Sequence, residues 1–165
     1  MSRRRSALRI TVMLAAMLAL LCATGAAADG GVFTEFSGTE TCVPVPGSLT
    51  IVMHGGNMHF AESYDCVDTA SIPEASGTVQ VSMKGVFDAA TFAGPFTASA
   101  HFTNAEGGWI EWATGSLGDG VGSMRSHGRG EGAYKSMQAW WECTWPVSMG
   151  NLEMTCAGRI LDPHK

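Results

Sequence analysis

The chain is short of positive charge, of long apolar runs and of helical periodicity, and each shortage removes a class of function. Ten Lys and Arg stand against 15 Asp and Glu. Four of the ten, Arg3, Arg4, Arg5 and Arg9, crowd the N-terminus. The other six, Lys84, Arg125, Arg129, Lys135, Arg159 and Lys165, form no stripe, and residues 29–165 alone carry a net charge near −9. A surface of that sign repels a nucleic-acid backbone, so no nucleic-acid partner is expected, and it repels anionic membranes equally. The main apolar run, Ile10 to Leu21, covers about a dozen residues, and a membrane-crossing helix needs about 20. There is no Cys-x-x-Cys, the histidines are scattered, and no G-x-S-x-G elbow is present. Neither a zinc cluster nor a hydrolase nucleophile is expected, and no cofactor or metal is assigned.

What the N-terminus does contain reads as an export leader. Arginines precede the apolar run, and small residues at Ala26 and Ala28 form an A-x-A cleavage site before Asp29. Leu21 before Cys22 does not suit lipid attachment, which needs a small residue there. Residues 1–28 are therefore expected to be a signal peptide, and 29–165 a single secreted or periplasmic domain with no integral membrane span. The mature chain would hold Cys42, Cys66, Cys143 and Cys156, an even number in an oxidising compartment. Four cysteines allow three connectivities; the expected one pairs neighbours in sequence, Cys42 with Cys66 and Cys143 with Cys156.

Alternation at period two recurs along the chain, and it marks half-buried strands. Thr78 to Lys84 sets Val79, Val81 and Met83 against Thr78, Gln80, Ser82 and Lys84. Phe96 to Thr103 sets Phe96, Ala98, Ala100 and Phe102 against Thr97, Ser99, His101 and Thr103. Lys135 to Trp145 sets Met137, Ala139, Trp141, Cys143 and Trp145 against Ser136, Gln138, Trp140, Glu142 and Thr144. Between such runs lie Pro44–Gly47, His54–Asn57, Pro73–Gly77, Asn104–Gly108 and Gly118–Gly120, all turn chemistry. The pattern predicts an all-β domain: one closed antiparallel barrel of about eight strands, lipocalin-like in general shape.

Residues 127–134, HGRGEGAY, are not a nucleotide-binding loop, because the glycine spacing differs and a strand, not a helix, follows. Gly128, Gly130 and Gly132 instead share one face of an extended segment, where the lack of side chains lets another group approach. With Gly107-Gly108-Trp109, Trp112, Thr114-Gly115, Tyr134 and Met137, this stretch resembles the hairpin of bacterial proteins in the allene oxide cyclase barrel-like group, whose barrel dirigent proteins share. A fainter echo lies in Phe36–Cys42 and Gly56–Phe60. The resemblance implies a closed barrel around an apolar cavity, and, in the cyclase, a cavity whose shape folds a reactive apolar substrate. No catalytic residue is carried over to a position here.

The candidate ligand-binding residues are those of the inward faces: Val79, Val81, Met83, Phe96, Phe102 and Trp141. Trp140 and Trp141 are adjacent and must face opposite sides. Glu62, Tyr64 and Glu111 are considered as buried titratable groups, with solvated strand positions the expectation for each. His54 and His59 are weak metal candidates on different faces or strands. Three functions stay open: binding of a small apolar molecule, an isomerase or cyclase steering a reactive substrate, and a filled barrel acting as a structural or surface module. The sequence leans away from an enzyme and leaves oligomer formation open.

Overall fold

The computed structural model describes residues 31–147 and 151–165; the expected leader lies outside them. Strands β1 (Val32–Pro44), β2 (Thr50–His54), β3 (Asn57–Ala70), β4 (Gly77–Asp88), β5 (Gly94–Thr103), β6 (Gly107–Gly118), β7 (Val121–Gly132), β8 (Gln138–Pro146) and β9 (Leu152–Asp162) follow one another, with a single 3-10 turn at Pro73–Ala75. Each strand from β3 to β9 pairs antiparallel with the next; β9 then pairs with β1, and β1 with β3. Eight strands thereby close into an antiparallel barrel. The extra strand, β2, hangs on β3 where β1 has diverged from it. No helix among the described residues is long and apolar enough to cross a membrane.

The period-two runs set the inside of this barrel. Val79, Phe96, Phe102, Trp109, Ala139, Cys143, Trp145 and Ile160 are buried, and their neighbours in sequence are mostly exposed. Closure follows from short connections that suit a meander. Asp119 and Gly120, with φ of 52° and 74°, join β6 to β7 in a two-residue hairpin that demands two positive φ angles. The strand expected over Lys135–Trp145 begins later, at Gln138, because residues 133–136 turn back on β7. There the Tyr134 amide donates to the Glu131 carbonyl and the Met137 amide to that of Tyr134.

This turn explains the alternating glycines. The Gly128 and Gly130 positions face inward; a Cβ on Gly128 would lie 3.1 Å from the Trp141 ring, and one on Gly130 would overlap the Tyr134 carbonyl. Tyr134 is thereby folded over the barrel end, its ring stacked on Trp109 at 5.3 Å. The same end is roofed by the 3-10 turn: the Trp109 indole donates to the Glu74 carbonyl at 2.9 Å. The Asn104 side-chain amide donates to the Pro73 and Ser76 carbonyls at 3.1 and 3.3 Å, and its oxygen accepts from the Tyr134 hydroxyl.

Two disulfides, Cys42–Cys66 and Cys143–Cys156, link directly opposed residues, and both point into the core. Both are the expected pairings, and the second joins consecutive strands. The first bridges β1 and β3, which are not consecutive, and so fastens the seam at which the barrel closes.

Candidate functional site

Side chains two residues from a buried cysteine share its face, and this simple rule brings carboxyl groups into the barrel. Glu40, two before Cys42, and Asp68, two after Cys66, sit opposite one another on β1 and β3. Glu111 enters from β6, between the inward Trp109 and Ala113. Glu40 is 6% exposed and Glu111 8%. Glu111 thus departs from the solvated strand position expected of it: its parity on β6 is that of Trp109, not of the outward Trp112. Tyr64 is buried too, and its hydroxyl donates to the half-buried Glu62.

These carboxyls stand beside two voids of about 30 and 40 Å³. By this measure a water needs about 10 to 15 Å³, so each void has room for two or three waters. Glu40 and Glu111 line both. Asp68, Phe102, Trp109 and Trp141 complete the void nearer the roofed end; Tyr64, Met83, Phe96 and Trp145 line the other. Of the six apolar residues expected inside, Phe102 and Trp141 reach the first void and Val81, Met83 and Phe96 the second. Val79 is buried in the core and lines neither.

Every Lys, Arg and His among the described residues is exposed, so nothing cationic balances the interior. Burial, with the nearby charge of Asp68, pushes the Glu40 carboxyl up to about 8. Burial lifts Asp68 to about 7. Glu111 rises well above the ordinary range through burial and through the charges of Glu40 and Asp68. The Cys42 sulfur lies 3.3 Å from Glu40 Oε1; being oxidised, it has no proton to donate. Glu40 lies within 4.8 Å of both disulfides, but sulfur bound in a disulfide is not the thiolate that a metal takes.

The rest of the candidates lie outside. His54 and His59 sit on β2 and β3 with rings 6.3 Å apart, both exposed. His101 meets Glu131 at 3.4 Å on the outer wall. Trp140 faces outward with Phe33, His127 and Trp112, and the Arg159 guanidinium lies 4.9 Å from the Phe33 ring.

Fold and interior together define a small disulfide-bonded antiparallel barrel with an acid-lined core. No protein-family model matches the chain, and no curated protein matches it in sequence.

Proposed function

We propose that the protein is an exported binding barrel that takes a small, largely apolar molecule into its interior and anchors it on Glu40 and Glu111. The observation that carries this reading is the pair of buried carboxyls, each without a protein donor among the described residues, facing voids walled by aromatic and aliphatic groups. A protein that needed only stability would gain by replacing them with apolar residues. The voids as they stand admit only a few heavy atoms. A larger guest would have to displace pliant side chains, and Met83, Met124 and Met154 along the second void suit that purpose.

A second reading is an isomerase or cyclase of the allene oxide cyclase or dirigent kind. Its support is the protonation of the interior: with Glu40 pushed to about 8 and Asp68 to about 7, a proton donor stands in an apolar chamber at neutral pH. Titration of the disulfide-intact protein with small alcohols, ketones and amines of increasing chain length, followed by tryptophan fluorescence and calorimetry, tests the binding reading. Saturable quenching is expected, since Trp141 lines one void and Trp145 the other. A flat response throughout would leave a filled barrel of structural or surface role.

A further inference from the structure

We propose that the occupant of the interior is an organic cation, a small ammonium head on a short apolar tail. This rests on the binding reading above and specifies its chemistry. Three carboxyls from three strands, Glu40, Asp68 and Glu111, point toward shared space, and among the described residues no cation accompanies them. The other titratable groups facing inward are Glu62 and Tyr64 on β3, already bonded to each other, and the buried Asp162 at the end of β9, which pairs with Lys165 at 3.6 Å. The inner faces of β4, β5, β7, β8 and β9 contribute only uncharged groups at this level, among them Met83, Ala100, Ser126, Trp141 and Met154.

A neutral apolar guest would leave Glu40 and Glu111 without partners, and an anion would be repelled. A cation satisfies both, because buried carboxylates are tolerated when paired. The walls favour it as well: Phe36, Phe102, Trp109 and Trp141 line the first void, and ring faces attract positive charge. A bare metal ion fits less well. Among the described residues the three carboxyls do not form a set of ligand atoms within 4.8 Å of one another, whereas a calcium or magnesium ion gathers oxygens at about 2.0 to 2.6 Å. Because Glu40 and Glu111 border both voids, head and tail can lie on either side of them.

The step is a proton exchange. A carboxyl O–H gives its proton to solvent, and the carboxylate left behind accepts hydrogen bonds from the ammonium N–H groups. Binding therefore releases protons and tightens as pH rises toward the carboxyl's own range.

Calorimetry on the disulfide-intact protein tests this, with butylammonium, tetramethylammonium, butanol, butyrate and magnesium as probes, in buffers of different ionisation enthalpy. Butylammonium should bind at least about tenfold tighter than butanol, as charge-assisted hydrogen bonds to buried carboxylates require. Its apparent heat should depend on the buffer through released protons, a readout that needs no variant. Glu40→Gln and Glu111→Gln should each weaken butylammonium by at least about tenfold more than they weaken butanol. Butanol binding as tightly as butylammonium, or magnesium displacing it, would overturn the cation inference while leaving the binding reading intact. Saturation by none of the probes would overturn both.

Discussion

Replacing Glu40 by glutamine should make the barrel more stable at neutral and alkaline pH and remove one of its three pH-dependent contributions, those of Asp68 and Glu111 remaining. The carboxyl titrates at about 8 in the fold against 4.5 for the ordinary group, so the folded state holds a proton that the unfolded chain has released. Stability is then complete below the ordinary value and falls as pH rises through the folded one. Each tenfold difference in proton affinity between the two states is worth about 1.4 kcal/mol, which gives a loss of about 3 kcal/mol by pH 7 and about 5 kcal/mol above pH 9. Relaxation and water penetration make these figures a ceiling. Asp68, lifted by its own burial, and Glu111 act in the same direction in parent and variant alike, so these figures are the difference between the two proteins and not the whole pH dependence. Glutamine keeps the shape and cannot ionise. Urea unfolding followed by tryptophan fluorescence near pH 4, 6 and 8 should show parent and variant close together in acid and diverging by a few kcal/mol in base. A parent that gains stability with pH, or two parallel curves, would refute the buried, unpaired state of Glu40.

Non-reducing peptide mapping should recover only the Cys42–Cys66 and Cys143–Cys156 links, and removing either should cost about 2 to 4 kcal/mol; a Cys66–Cys143 peptide would contradict the seam described here. Gly130→Val should lower the melting temperature, because its side chain collides with the Tyr134 backbone and overpacking costs about 1 to 3 kcal/mol; an unchanged melt beside measurable phosphate binding by the parent would point back to an anion loop. Asn104→Ala frees the Pro73 and Ser76 carbonyls from the side chain that caps them, so amide exchange in residues 71–76 should accelerate while exchange in the β7–β8 ladder holds; equal protection would show that Asn104 does not hold the roof.

The strand faces were readable from parity alone. Val79, Val81 and Met83, and Phe96 to Phe102, alternate so regularly that either face assignment other than the observed one would bury lysine or threonine. The start of β8 was not readable, since Lys135-Ser-Met alternates just as a strand does; what turns it is the glycine face of β7, which draws the Tyr134 backbone inward. The carboxyls were the harder case. Glu111 sits among strand residues, and charge ordinarily marks the solvent side. Its place two residues from the buried Trp109 was the stronger signal. Glu40 and Asp68 carried a signal too, each two residues from a cysteine of the expected Cys42–Cys66 bridge. That bridge points inward, and parity takes both acids in with it. What no single strand could reveal is that β1, β3 and β6 aim their acids at the same space, for that is a property of the closed barrel.

Carboxyl-carbon NMR titration of the glutamate side chains, with and without butylammonium, tests the interior site most directly. In the free protein Glu40 should titrate at about 8 and Glu111 well above 4.5, and the ligand should move both toward the ordinary carboxylate range. Both groups titrating near 4.5, with no response to the ligand, would contradict it.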